Sequence, residues 1–374
     1  MDILVPTERP RAQGATVTFK YIPALDGMRA VAVLFVVFFH AVLIVPGLQP
    51  YTNGGFLGVD IFFVLSGFLI TSILLQEFDR TGSMNFKNFY TRRFLRLMPA
   101  YWLQLAGLFV FATWLFPQDI CEKLYANNNF LYAFLYLSNW QRALNGSEVM
   151  SLLNHTWSLA IEEQFYLFWA GFLFLMLRRL SRERIVSVTA GMIVFTAFFR
   201  AFRWQGRGSV DFLYNAFDSR MDALLVGCLV SQLISWGKLP QAFLSSRALD
   251  LLGLISLWVA VLIIFGLSDS YYSPFLYQGG FTLFALAIGM IVIWLVAHSN
   301  DRVSSVLSTG PLTWIGKTSY GLYLWHSISI SFFFYFQMPP WLMLISAVLS
   351  AFSLTALSYY LVELPFLRLK QRFS

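Results

Sequence analysis

The stretch LDGMRAVAVLFVVFFHAV, residues 25–42, carries one arginine, ten residues without charge and then one histidine. A run this apolar is a candidate for a membrane helix, so two ionisable side chains within it need a reason. Arg29 to His40 is eleven steps. On a helix that is about 1100°, three turns and roughly 20° more, with a rise of about 16 Å. Both side chains therefore share one stripe. Arg29 is expected at the inner interface and His40 near mid-membrane, where an ionisable group generally faces a cavity or a partner. Taken singly, Arg29 reads equally as a topology anchor and His40 as an interhelical hydrogen-bonding group.

The rest of the chain fits a membrane setting. Hydrophobic residues make up 58% of the 374 and charged residues 12%, with a mean hydropathy of +0.64. A soluble domain carries about 25% charge. Apolar runs predict ten spans, at 27–46, 56–76, 97–116, 155–177, 186–203, 217–236, 248–267, 277–297, 318–337 and 341–362. Of the 26 Lys and Arg, 20 then lie on the side of the N-terminus, which the positive-inside rule assigns to the cytoplasm. The expected fold is all-α, a polytopic protein of about ten transmembrane helices in a lipid bilayer, with both termini cytoplasmic. The expected divisions are a cytoplasmic tail over 1–20, a transmembrane domain over 21–368 and a short cytoplasmic tail over 369–374. Residues 1–20 lack the apolar core of a signal peptide. The net charge of +7 reports topology and not a nucleic-acid partner. Cys121 and Cys228 have no metal-type spacing, and no metal is expected. The segment 117–154, with NNFLYAFLYLSNW at 128–140, is expected to lie at the outer face as an interfacial or re-entrant helix.

Further motifs add ionisable groups. In NHTWSLAIEEQFYLFW (154–169), Glu162 lies seven residues below His155, about 10 Å from the outer boundary. His40 lies about 16 Å above the inner boundary of a core about 30 Å thick. The two depths match, which predicts a Glu162–His40 pair: the carboxylate orients the ring of a general base, or the two are a structural pair. In FKNFYTRRFLRLMPAYW (86–102), a helix would put Arg92, Arg93 and Arg96 toward one side, with Pro99 in the first turn of span 3. Guanidinium clusters suit phosphates, although inner loops are rich in arginine anyway. Asp60 is expected in the first turn of a helix at the outer end of span 2. Arg220 and Asp222, at the outer end of span 6, read as a local ion pair or as an acceptor-binding group. His326 is expected in the inner half of span 9, with Ser319, Tyr320 and Tyr323 nearby. Glu363 and Pro365 in VELPF read as a helix stop.

These stretches, in this order, resemble the acyltransferase 3 family: LDGMRA and FFHA, GGFLGVDIFFVLSGFLI, FYTRRFLRLMPAYW, HTWSLAIEEQFYLFW, DSRMDALLVG, SYGLYLWH and VELPF. The resemblance runs from about residue 21 to 368. The family's Arg–ten residues–His motif falls on Arg29 and His40, and its Arg-x-x-Arg motif on Arg93 and Arg96, with Arg92 beside them. Its Trp-Ser-Leu-x-x-Glu-x-Gln-Phe-Tyr pattern matches Trp157, Ser158, Leu159, Glu162, Gln164, Phe165 and Tyr166. Such membrane O-acyltransferases modify O-antigen, exopolysaccharide or macrolide acceptors in the bacterial inner membrane. The resemblance implies transfer of an acyl group, acetyl above all, from acetyl-CoA or another acyl-CoA to an acceptor hydroxyl. The donor's phosphates would sit on Arg29, Arg92, Arg93 and Arg96. His40 would be the base and Glu162 its partner, and Asp60, Ser158, Arg220, Asp222, Tyr323 and His326 would support or bind the acceptor.

Direct transfer and an acyl-enzyme on Ser158 or His40 both fit these residues, as does a homo-oligomeric assembly. The rival class is a proton-coupled transporter, because buried Glu and His also build proton relays. Such folds often show paired broken helices in two related halves, and no related halves are found in this sequence. A non-catalytic receptor would explain Arg220 and Asp222 but gives no reason for Arg29 and His40 on one stripe.

Overall fold

The computed structural model describes residues 4–7, 18–41, 45, 47, 53–114, 128–146, 152–206, 208–267, 272–299, 301–334 and 338–373. Ten long helices run through them: α1 (Pro23–Ala41), α2 (Gly58–Thr81), α3 (Phe86–Trp114), α4 (Thr156–Arg179), α5 (Arg182–Gln205), α6 (Phe217–Ser235), α7 (Arg247–Leu262), α8 (Phe281–Ala297), α9 (Gly310–Phe334) and α10 (Pro340–Ser358). Two short strands, Leu4–Thr7 and Thr18–Tyr21, pair antiparallel within the segment expected as a polar tail.

Eight helical segments among the described residues are long and apolar enough to cross a membrane. The other two predicted spans correspond to α6 and α9, which are less apolar for a visible reason. α6 packs on α2, α5 and α8, and α9 on α1 and α10. Their polar side chains, among them Arg220, Asp222, Ser319 and His326, are buried against protein. By contrast, α5 presents Val194, Phe195, Phe198 and Phe202 outward, each more than half exposed. Apolar residues on the rim and polar ones inside suit a bundle whose solvent is lipid.

A close helix crossing joins α2 to α6. A Cβ added to Gly67 would lie 1.9 Å from the Leu224 carbonyl oxygen, and one on Gly227 would lie 2.0 Å from that of Val64. Only glycine permits this approach of two backbones.

Three helices begin well before their apolar runs. α1 begins at Pro23 and not 27, and α9 at Gly310 and not 318. α3 begins at Phe86, so Pro99 lies inside the helix and not in its first turn. In each case a polar opening turn is helical, because backbone hydrogen bonding continues past the apolar segment. The C-terminal stop expected at VELPF is also corrected. The chain passes through a π turn, Tyr359–Glu363, into a further helix, Leu364–Lys370. Pro365 sits in that helix's opening turn, where its missing N–H leaves no bond unmade. Segment 128–140 forms two short helices, Asn129–Phe134 and Ser138–Asn145. Cys121 lies outside the described residues. Cys228 is buried and its thiol faces the Gly67 carbonyl at 3.6 Å.

Candidate active site

A cavity lies between α1, α2, α3, α4 and α9. Along α2 its wall runs from Val59 to Ile73, fourteen residues or about 21 Å of helix. It is therefore long. Arg29, Arg93 and Arg96 border it at one end, called here the arginine end. Ser158 and Tyr323 border it toward the other.

At the arginine end the three guanidiniums come from two helices. Arg93 is partly occupied: it lies 3.6 Å from a Glu163 carboxylate oxygen and stacks over the Tyr166 ring at 3.7 Å. Arg29 and Arg96 make no ion pair or hydrogen bond among the described residues. Asp26 and Glu363 act on these arginines only from beyond ion-pair distance, so the guanidiniums on this shared cavity wall suit an anion. Arg92 does not join them. It bonds the Phe373 carbonyl at 2.7 Å and Glu77 at 3.3 Å. Although Arg92 and Arg96 are one turn apart, Arg92 falls beyond the cavity, where the C-terminal segment covers it.

Glu162 lines the cavity, but not as expected. Its carboxylate accepts hydrogen bonds from the Ser66 and Tyr166 hydroxyls, and no hydrogen bond joins it to His40. The early start of α1 is the cause. His40 falls in the last described turn of that helix, level with His155, which precedes α4. Glu162 lies seven residues further on, about 10 Å deeper. The same shift moves His326, which is sixteen residues into α9 and not in its inner half.

The result is an imidazole cluster. His40 and His326 have ring centroids 4.9 Å apart, and His326 and His155 5.7 Å apart. Three of the chain's four histidines thus meet from three segments. His40 Nδ1 lies 2.8 Å from the Val36 carbonyl and His326 Nδ1 2.7 Å from the Tyr323 carbonyl. A carbonyl only accepts, so each ring carries its proton on Nδ1 and keeps a lone pair on Nε2. The Nε2 of His326 is buried without a partner. His155 was used in the sequence only as a depth marker. Its ring nitrogens, too, are buried without a hydrogen bond of good geometry. A single histidine beside a helix start gives no sign in sequence that two others will meet it.

Tyr323 connects the cluster to the cavity. Its ring lies 5.5 Å from that of His326. Its hydroxyl is 2.5 Å from Ser158 Oγ and donates to the His155 carbonyl at 2.9 Å.

Asp60, in the opening turn of α2 as expected, takes both its contacts from Arg220 Nη2, at 3.0 and 2.9 Å. The expected local pair of Arg220 with Asp222 is not made. Asp222 instead pairs with Arg200 at 2.9 Å and accepts from Thr282 at 2.6 Å. Arg220 also covers the Phe281 ring at 3.6 Å. All four charged groups are buried, and this network ties α2, α5, α6 and α8 together. Arg200 escaped the sequence reading because an arginine near a span end resembles an interfacial anchor.

Comparison with known proteins follows the same residues. The model of the acyltransferase 3 family, described as an acyltransferase domain, matches residues 22–363. The peptidoglycan O-acetyltransferase OatA of Listeria monocytogenes is 35% identical over 316 residues, covering 82% of this chain and 49% of that protein. YrhL of Bacillus subtilis, which carries a provisional peptidoglycan O-acetyltransferase name, is 34% identical over 92% of this chain and 55% of its own length. A Staphylococcus aureus protein provisionally named an O-acetyltransferase is 34% identical over 93% of this chain and 57% of its own. The chain therefore spans about half the length of these curated relatives. No solved structure matches significantly.

Proposed function

The chain belongs to the acyltransferase 3 family, and from that premise we propose that it transfers an acetyl group from acetyl-CoA to a hydroxyl of a cell-surface glycan. The observation that carries this reading is one cavity with unpaired arginines at one end and an imidazole cluster just beyond the other. A donor with a polyphosphate at one end and a thioester at the other fits that polarity. Its phosphates meet Arg29, Arg96 and Arg93. Its arm passes Glu162, whose carboxylate faces the arm's amide N–H groups. The thioester then reaches Ser158 and Tyr323.

In this scheme the acceptor hydroxyl comes from the histidine end. His40 Nε2 takes the hydroxyl proton, the oxygen attacks the thioester carbon, and the C–S bond breaks. The thiolate leaves with the proton that His40 took. A base acting this way supplies about 10²–10⁴ in rate. The acceptor suggested by the relatives' names is peptidoglycan. The ten-span arrangement in a bacterial inner membrane, with both termini cytoplasmic, would set the arginine end toward cytoplasmic CoA and the histidine end toward the wall.

The test uses membranes from cells expressing the full chain, given acetyl-CoA labelled in the acetyl group. Label in isolated wall glycan with matching release of free CoA is the expected result. Label that never leaves acetyl-CoA overturns the reading. Label in lipid or in a soluble macrolide, with none in glycan, overturns the acceptor class.

A further inference from the structure

We propose that the paired hydroxyls of Ser158 and Tyr323 form the oxyanion site of the transfer, holding the thioester oxygen while it carries negative charge. The inference rests on the reading above and assigns these two side chains a step in it.

Ser158 lies in the opening turn of α4 and Tyr323 on α9. Both line the cavity although their side chains are almost wholly buried. Their oxygens are 2.5 Å apart, and both hydroxyls turn toward a single acceptor, the His155 carbonyl, at 3.2 and 2.9 Å. Two hydroxyl protons thus serve three close contacts, one between the hydroxyls and two to the same neutral carbonyl, and a hydroxyl rotates to a better acceptor at little cost. An oxyanion in the cavity is that better acceptor, because charge-assisted hydrogen bonds are roughly twice as strong as neutral ones. The start of α4 adds the positive end of a 24-residue helix. The nearest carboxylate on the cavity wall, Glu162, is one turn further along α4 and already accepts from Ser66 and Tyr166. Ser319, one turn from Tyr323 on α9, has a buried hydroxyl without a partner on the same cavity wall. An orphaned polar atom there indicates that the cavity is built for a polar guest.

The electron count closes without a further reactant. The acceptor O–H gives its proton to His40, and the new C–O bond pushes the carbonyl π pair onto oxygen. Ser158 and Tyr323 donate hydrogen bonds to that oxygen. When the carbonyl reforms, the C–S pair leaves on sulfur and takes the proton from His40. Neither hydroxyl becomes acylated, which separates this role from a covalent relay.

The experiment uses the same membranes and labelled acetyl-CoA. Wild type is measured first: without label in glycan, the functional reading itself has failed and the variants are not needed. With wild-type transfer established, Tyr323→Phe and Ser158→Ala are each expected to lower turnover about 10²–10³-fold, with KM for acetyl-CoA unchanged. Ser158→Thr, which keeps a hydroxyl, is expected to restore most of the rate and serves if the alanine variant fails to reach the membrane. Three results overturn the oxyanion role: Tyr323→Phe at wild-type turnover, a loss confined to KM, or one acetyl mass on a peptide containing Ser158 or Tyr323 when acetyl-CoA is supplied without acceptor.

Discussion

The Nδ1 of His40 donates to the carbonyl of Val36, 2.8 Å away and one turn back on α1. That bond sets the Nδ1–H tautomer and leaves the Nε2 lone pair free for the proposed role as base, with the ring oriented by a backbone carbonyl in place of a carboxylate. His40→Ala is therefore expected to lower transfer by at least about 10²-fold, with the protein still in the membrane and monodisperse in detergent. Release of CoA from acetyl-CoA, followed with a thiol reagent, reads the effect. A variant with wild-type release removes His40 from the chemistry.

Two arginines one turn apart on α3 should behave differently. Arg96 lines the cavity without an ion pair, whereas Arg92 is held by Glu77 and the Phe373 carbonyl. A hydrogen bond to a charged group contributes about 1.5–3 kcal/mol, so Arg96→Gln should raise KM for acetyl-CoA about tenfold or more. Arg92→Gln should leave it unchanged. Equal effects at both positions would contradict the placement of the phosphates.

Glu162 gives a test of position along the cavity. A partner of His40 would act on turnover with every donor. A carboxylate facing the middle of the donor's arm acts only where the arm has amide N–H groups to offer. Glu162→Gln is expected to raise KM for acetyl-CoA several-fold while leaving the rate with a small acetyl thioester lacking those amides nearly unchanged. Comparing initial rates for the two donors checks this.

The stripe of Arg29 and His40 was legible in the sequence because both lie on one unbroken helix, and helical period is a local property. The Arg93–Arg96 pair was legible for the same reason. Relations between helices were not. The expected Glu162–His40 pair depended on knowing where each helix begins relative to its apolar run, and an error of four residues at Pro23 displaces His40 by a full turn. Arg220 paired with Asp60, 160 residues away, and not with Asp222 two positions on. Near neighbours on one helix face different directions, while partners on other helices cannot be ranked from a single chain.

The buried network should show its cost when one partner is removed. Asp60→Asn leaves the Arg220 charge buried without its counter-ion, and loss of one member of a buried pair costs about 3–5 kcal/mol. Its midpoint of thermal unfolding in detergent should fall well below wild type. Replacing both residues with apolar ones, Asp60→Leu with Arg220→Met, should recover much of the loss. A double variant less stable than Asp60→Asn would mean that the pair also performs a role apart from charge balance.

Packing and function meet at the α2–α6 crossing. Gly67 touches the Leu224 carbonyl so closely that a Cβ there would lie 1.9 Å from its oxygen, and α2 also forms the cavity wall from Val59 to Ile73. A methyl group at 67 must push the helices apart. Overpacking of this kind costs about 1–3 kcal/mol, and here the displaced helix carries Ser66, which holds Glu162. Gly67→Ala should therefore lower thermal stability and raise KM for acetyl-CoA together. Gly171→Ala, in α4 with open space around the added carbon, should do neither. Parallel unfolding and donor-saturation curves for the two alanine variants would decide it, and a Gly67→Ala protein matching Gly171→Ala in both would show that the crossing has slack.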